Sequence, residues 1–328
     1  MSIRPSESHI VGIVGLGLLG RGIAACLLAA GMRVVVFTRP KEGFASAREA
    51  IRTGFDELIS HGELPASAQE QWNGRYAEAD SLAAMRDCTY IIESIPEDFE
   101  LKDALFSELE SIVAPTVPLA SNTSALPISL LQSQRKHPER VIGMHWASPA
   151  HVSRFLEVIR GDHTNDATVD ATMRLAFAAG KDPSLVRKDV PGFIVNRLAY
   201  ALYREAFCLL EQGVADVETI DKTVRNVIGL WAAVAGPFRW MDLTGVAPYA
   251  AVMGRLFPEL SNATTAPPLI KSLVSQGHTG SAAGRGFYEY SPEEAARWQS
   301  ILTEHAWLVR EIQAKLFALE PTAHETTL

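Results

Sequence analysis

Residues 10 to 39 read IVGIVGLGLLGRGIAACLLAAGMRVVVFTR, and few folds accommodate such a stretch. An apolar run from Ile10 to Val14 leads into Gly15-x-Gly17-x-x-Gly20. A helix-forming segment follows to Ala30, then Gly31, then a second apolar run from Val34 to Phe37. Strand, glycine turn, helix and strand within about 30 residues make up the unit that holds a dinucleotide. Gly15 permits the tight turn out of the strand. Gly17 lets the backbone approach a pyrophosphate, and Gly20 lets the helix lie close on the sheet. The pyrophosphate then sits at the positive end of the helix, on free N–H groups around Leu18, Leu19 and Gly20. A signal peptide or membrane span does not fit, because Arg21 interrupts the apolar run and polar Ser6-Glu7-Ser8 precede it. A unit of this shape that binds no cofactor is the bland alternative; the strand before and the helix and strand after favour a real site.

The end of the second strand tunes the cofactor. An acidic residue there grips the ribose 2′-hydroxyl and selects NAD. This chain has Thr38-Arg39 instead. No carboxylate repels a 2′-phosphate, and Arg39 can pair with one, so the expectation is NAD or NADP with NADP favoured. The alternative is that Arg39 stacks on adenine or sits in solvent, with NAD still used.

A chain of 328 residues is long enough for two domains with real cores. Its formal net charge of −8 and the lack of a basic stripe argue against nucleic acid as a partner. Cys26, Cys88 and Cys208 lie far apart without metal-type spacing, so no metal is expected, and a reducing, cytoplasmic setting fits. There is no internal repeat or low-complexity segment. The first eight residues and the last eight or so read as loose ends.

From Pro40 to Asp80 the chain reads as helical and polar, a long excursion suited to a flap over a ligand. Strands are expected at Tyr90 to Ile95, Val117 to Ala120, Val141 to Met144, Phe155 to Ile159 and Ser184 to Val186. Helices are expected at Asp98 to Val113 and Asn165 to Ala179. This alternation indicates an α/β fold, a Rossmann-type doubly wound and mostly parallel sheet with helices on both faces. At Asp189-Val190-Pro191-Gly192 the character changes to helical periodicity, beginning with Ile194 to Gln212. The expected division is a dinucleotide-binding domain over 1–189 and an all-α domain for substrate and dimerisation over 190–328.

Ligands of an open parallel sheet sit beyond the carboxyl ends of its strands. Ser124, His145 and Asn196 fall there. His145 follows an apolar strand directly, and Glu157 lies on what should be a neighbouring strand. A carboxylate beside an imidazole fixes its tautomer and stabilises the imidazolium. Alcohol oxidation needs that pairing, since the base takes the hydroxyl proton while hydride leaves for nicotinamide. A lone buried histidine is more often structural; the position and the Glu157 partner reverse those odds. His151 is the rival base, in a loop after Pro149. Ser124 and Asn196 can hydrogen-bond the reacting oxygen. Their bland readings are a helix N-cap and a domain-linking hydrogen bond.

Together these residues resemble the L-3-hydroxyacyl-CoA dehydrogenase family over nearly the whole chain. The markers are the glycine turn, Ser121-Asn122-Thr123-Ser124, His145-Trp146-Ala147-Ser148-Pro149, Phe155-Leu156-Glu157-Val158-Ile159 and Pro191-Gly192-Phe193-Ile194-Val195-Asn196-Arg197. Gly236-Pro237-Phe238, Asp242-Leu243-Thr244-Gly245 and Gly284-Arg285-Gly286-Phe287-Tyr288 follow in order. The resemblance implies a His145–Glu157 pair, substrate-oxygen contacts from Ser124 and Asn196, and a homodimer built through the helical domain. It adds Glu97, Lys102 and Asn122 to the cofactor-binding set. The family's histidine motif runs His-Phe-Phe-Asn-Pro, so Trp146 and Ser148 depart from it and should reshape the pocket. The 41–80 segment has only Lys41, Arg48, Arg52 and Arg75 among many acids, too little positive charge for the phosphates of CoA. The substrate expected is therefore a small free hydroxy acid, with an acyl-CoA as alternative. Arg154 or Arg197 is a candidate partner for a free carboxylate. Two other readings stand beside it: a β-hydroxyacid dehydrogenase, which relies on an interdomain-helix lysine not found at 189–197, and a non-catalytic dinucleotide-binding or structural protein.

Overall fold

The computed structural model describes residues 9–317, and the two ends read as loose lie outside that span. Eight strands form one sheet in the order β3-β2-β1-β4-β5-β6-β7-β8. They are β1 (Ile10–Val14), β2 (Arg33–Phe37), β3 (Tyr76–Glu78), β4 (Tyr90–Glu93), β5 (Leu119–Ser121), β6 (Val141–Trp146), β7 (Phe155–Ile159) and β8 (Asp182–Val186). All neighbours pair in parallel except β6 and β7, which run antiparallel. The carboxyl ends of β1, β4, β5 and β6 therefore share one edge, where Gly15, Ser94, Asn122 and Ala147 leave the sheet.

Helices cover both faces because parallel strands buried on each side need two apolar layers. On one face lie α1 (Leu18–Ala29) and α2 (Glu42–Ser60), which pack against each other, together with α6 (Asp166–Ala178). Ile23, Leu27, Ile51 and Phe55 of this layer meet Val34, Met144 and Trp146 of the sheet in one buried cluster. On the other face, α4 (Phe99–Ile112) and α5 (Ile128–Gln132) bring Phe106, Leu109, Ile128 and Leu131 onto Ile91, Leu119 and Val141.

The 40–80 excursion differs from its expectation in two ways. α2 is not a flap: Ala47, Ile51, Phe55 and Leu58 are buried against the core. After the single-turn α3 (Ala68–Gln71), Trp72 packs on Phe55 and edge-on to Tyr76. A helix with a buried apolar stripe is docked scaffold, not a cover. Tyr76–Glu78 then adds β3 to the sheet beside β2, a three-residue edge strand too short for alternation to reveal. The strand expected to stop at Met144 runs on to Trp146, because His145 and Trp146 pair with Glu157 and Leu156 of β7.

Two compact units emerge, one ending at Arg197 and one beginning at Leu198. Residues 194–196, leading into α7 (Val195–Glu211), group with the first unit through hydrogen bonds to Glu157 and Ser124. The second unit continues along α7 and contains α8 (Val217–Thr223), α9 (Gly229–Ala232), α10 (Pro237–Thr244), α11 (Val246–Leu256), α12 (Pro268–Ser275) and α13 (Pro292–Phe317). Among its described residues only Ala235 and Trp307 are buried.

Candidate active site

Gly15 takes φ +98° at the end of β1, and a Cβ there would meet the Ser94 carbonyl oxygen at 2.4 Å. At Gly20 a Cβ would lie 2.0 Å from the Gly15 oxygen, so α1 can sit this close to the turn only without a side chain. Gly17 is different: nothing lies within 4 Å of its would-be Cβ, and as N-cap of α1 it offers no side-chain cap. No acidic residue stands in the first turn. The helix start thus presents N–H groups and open space with no side chain competing for them, which fits a dinucleotide pyrophosphate. Thr38 and Arg39 follow the end of β2, as the sequence places them.

β4 ends in a buried acid that sequence reading passed over. Glu93 is fully buried, accepting from Lys102 Nζ at 2.6 Å, the Ile95 N–H at 2.7 Å and Ser121 Oγ at 2.5 Å. Burial pushes its carboxyl up, while the Lys102 ammonium and these hydrogen bonds pull it back. An acid inside the apolar run Tyr90-Ile91-Ile92-Glu93 is itself the signal that could have found it. Lys102 has no exposed surface, and its ammonium also lies 3.5 Å from Glu97. Its ammonium is thereby held between the Glu93 and Glu97 carboxylates.

Glu97 Oε1 accepts from Thr123 Oγ1 at 2.5 Å and from the N–H groups of Ser124 and Ala125 at 3.0 and 2.9 Å. Burial works to raise its carboxyl; the Thr123 and backbone hydrogen bonds and the Lys102 ammonium outweigh that and hold it below the ordinary carboxylate range. The loop after β5 is therefore organised around one carboxylate. Asn122 takes part twice, donating to Ser94 Oγ at 3.0 Å and accepting the Trp146 N–H at 3.1 Å. Asn196 Nδ2 donates to the Ser124 carbonyl at 2.8 Å, which brings these two residues together.

His145 and Glu157 face each other across the antiparallel pair, with Nδ1 and Oε2 2.9 Å apart and both side chains more than nine-tenths buried. Phe155 meets the imidazole edge-on at 5.6 Å and Phe193 lies tilted at 5.8 Å. The carboxylate takes one ring nitrogen, Nδ1, and Nε2 lies on the other side of the ring. His151 instead pairs through Nε2 with Glu57 of α2 at 2.6 Å, tying its loop to the docked helix.

Trp146 does not reshape the pocket beside His145. Successive strand residues point to opposite faces, so the indole enters the α1 cluster, where the Lys181 ammonium sits 5.1 Å over its ring. The loop that carries Ser148 and a cis Ser148–Pro149 bond is anchored by Lys181, which donates to the Ala150 and Ser153 carbonyls.

Residues 10–190 match the family model described as 3-hydroxyacyl-CoA dehydrogenase, NAD binding domain, and residues 192–290 match its C-terminal domain. The chain belongs to the 3-hydroxyacyl-CoA dehydrogenase family. It is thus an oxidoreductase of a family of NAD-dependent dehydrogenases acting on CH–OH groups. The 5-formyl-3-hydroxy-2-methylpyridine 4-carboxylate 5-dehydrogenase of Mesorhizobium japonicum is 34% identical over 304 residues, covering 92% of this chain and 97% of that one. A probable 3-hydroxybutyryl-CoA dehydrogenase of Deinococcus radiodurans is also 34% identical, over 85% of this chain and 99% of its own. Among solved structures, the 5-formyl-3-hydroxy-2-methylpyridine 4-carboxylic acid 5-dehydrogenase, described as an NAD+-dependent dismutase, superposes with a TM-score of 0.85 at 33% identity. That match covers 94% of this chain and 98% of that one. The (S)-3-hydroxybutyryl-CoA dehydrogenase of Ralstonia eutropha gives 0.72 at 32% identity, over 86% and 99%.

Proposed function

We propose that this protein oxidises a CH–OH group on a small free acid, with His145 as general base and Glu157 holding its tautomer. The observation that carries this reading is the buried 2.9 Å contact between Nδ1 and the Glu157 carboxylate at the end of β6. NAD supplies the hydride acceptor. Nε2 of His145 takes the hydroxyl proton, Glu157 stabilises the resulting imidazolium, and Ser124 and Asn196 direct the reacting oxygen. Glu97, Lys102 and Asn122 shape the crevice floor for the cofactor, and Leu18, Leu19 and Gly20 turn their N–H groups to the pyrophosphate. Thr38 and Arg39 carry no carboxylate against a 2′-phosphate, so NADP is accepted as well as NAD.

A free acid is favoured over a thioester of CoA because the cations of the 41–80 segment are committed elsewhere. Arg48 binds Glu78 at 2.7 Å and Asn73 at 3.0 Å, Arg52 binds Glu49, and Arg75 donates to the Leu28 carbonyl at 3.3 Å. That leaves Lys41 to meet a strongly anionic carrier. The Mesorhizobium relative, by its name, acts on a formyl group of a pyridine carboxylate. The hydrate of an aldehyde presents the same CH–OH to a base, so hydroxy acids and hydrated aldehyde acids belong in one substrate class. Three free thiols, two of them buried, suit a reducing cytoplasm.

The protein is proposed to work as a homodimer. The second unit leaves Leu230 74% and Phe238 79% exposed, and its other helices bury almost nothing. A cavity of about 490 Å³ within that unit, lined by Phe207, Leu210, Ile220, Leu273, Val274 and Phe287, is ready for apolar side chains of a second copy.

The decisive experiment is initial-rate absorbance with NAD and NADP over a panel of hydroxy acids, aldehyde acids and a 3-hydroxyacyl-CoA, for the native chain and His145→Gln. The variant is expected to lose kcat by roughly 10³-fold with cofactor affinity nearly intact. Turnover within about tenfold of the native chain would exclude His145 as the base, and a clear preference for the acyl-CoA would overturn the free-acid reading.

A further inference from the structure

The turn before α7 carries an unusual backbone. Gly192 has φ +79° and Phe193 has φ +50°, and Phe193 is the non-glycine residue with positive φ among the described residues. A bulky side chain rarely adopts that region, and such conformations persist where their surroundings impose them. Here they bring the next two N–H groups onto one atom: Ile194 and Val195 donate to Glu157 Oε1 at 3.0 and 2.9 Å. Successive N–H groups after a left-handed residue form a concave anion site. The anion they hold is the carboxylate whose other oxygen, Oε2, lies 2.9 Å from His145 Nδ1. The Phe193 side chain, 1% exposed, places its ring 5.8 Å from the imidazole, tilted against it, beside the edge-on contact from Phe155.

We propose that Phe193 is a positioning residue for the His145–Glu157 pair, its left-handed backbone fixing Glu157 through Ile194 and Val195 while its ring braces the imidazole. This rests on the reading of His145 as base. Phe193 touches neither substrate nor cofactor in this role; it acts by dividing the two oxygens of Glu157 between the helix start and the imidazole. With Oε1 held, the carboxylate cannot rotate away when the ring gains a proton. The first N–H groups of any helix need acceptors, so a purely structural reading makes Glu157 a cap supplied by a neighbouring strand. The two readings differ in whether loss at Phe193 passes through Glu157.

The test is a double-mutant cycle on the full chain. Phe193→Ile keeps apolar volume but resists the left-handed backbone, whereas Phe193→Gly keeps that backbone and removes the ring. Each is made in the native chain and in Glu157→Gln. Phe193→Ile is expected to lower kcat roughly 30-fold with both KM values within about twofold, and Phe193→Gly about fivefold. In the Glu157→Gln background either substitution should cost less than about twofold more. Losses that multiply across the cycle, or that track the folded fraction, overturn the proposal. Should the isoleucine variant be recovered misfolded, the glycine variant completes the same cycle, because its loss must also vanish beside Glu157→Gln. Native turnover in Glu157→Gln would instead sink the acid–base reading itself.

Discussion

Two glycines of one turn make opposite predictions. A Cβ at Gly20 would sit 2.0 Å from the Gly15 oxygen, and backbone cannot yield that much without moving α1 off the sheet. Gly20→Ala is expected to cost about 1–3 kcal/mol in urea unfolding. Gly17 has φ −67°, which any L residue adopts, and open space around its Cβ position. Gly17→Ala should therefore change stability by less than about 0.5 kcal/mol. It should nonetheless weaken NAD binding about tenfold, because the methyl group occupies the space a pyrophosphate needs. Calorimetry on the folded variant reads the affinity, and unchanged binding would mean the open side of Gly17 faces no ligand. His145 and Glu157 were legible for a related reason: a polar residue at the end of an apolar strand, and another inside a neighbouring strand, leave little choice of place. Phe193 was not legible, since its identity as an aromatic in Pro-Gly-Phe says nothing of a left-handed φ.

The loop after β5 is an element held by a side chain from another element. Glu97, beyond β4, accepts from Thr123, Ser124 and Ala125, and those bonds with Lys102 hold its carboxyl below the ordinary value of 4.5. A depressed folded-state carboxyl stabilises the fold above that ordinary value, and the contribution fades as pH falls through the lowered one. The native chain should thus exceed Glu97→Gln in stability near neutral pH, with the gap closing progressively below about pH 4.5. Urea unfolding of both proteins across acid pH checks this; a gap independent of pH would mean the ionised form is not what the loop needs. The carboxylate is more than a third exposed, so solvent screening keeps the effect modest. Sequence placed Glu97 near a cofactor but could not see this bracing, which depends on β4 and β5 being neighbours. Apolar runs marked seven of the eight strands, most of them in the buried parallel part of the sheet. They missed β3, where Tyr76-Ala77-Glu78 gives three residues and no pattern. The same limit explains the docked α2: polar composition suggested a cover, yet one apolar stripe was enough to bury it.

At the scale of the molecule the two units are built differently. The first closes its core with one sheet and two helical layers, its buried apolar side chains gathering in two clusters, one on each face of the sheet. The second has helices with apolar faces and, among its described residues, two buried side chains, Ala235 and Trp307. Burial is the main term that opposes the entropy of folding, and the exposed apolar faces of this unit are what the proposed homodimer would cover. Sequence reading anticipated the helices from their periodicity, but periodicity tells which face is apolar and not what covers it. In the proposed homodimer a second copy supplies that cover by symmetry, each chain giving the surface it also receives. Folding of the second unit is then linked to association, and its apparent stability depends on chain concentration. A hundredfold increase in concentration should stabilise the assembly by about 2.7 kcal/mol at 25 °C and move the helix-monitored midpoint upward. Phe238→Glu and Leu230→Glu, each placing a charge on the exposed apolar surface, should abolish that dependence by leaving the helical unit unfolded while the sheet-containing unit still binds NAD. Sedimentation at a monomer mass, with a midpoint that ignores concentration, would mean that the second unit is covered by something other than its own copy.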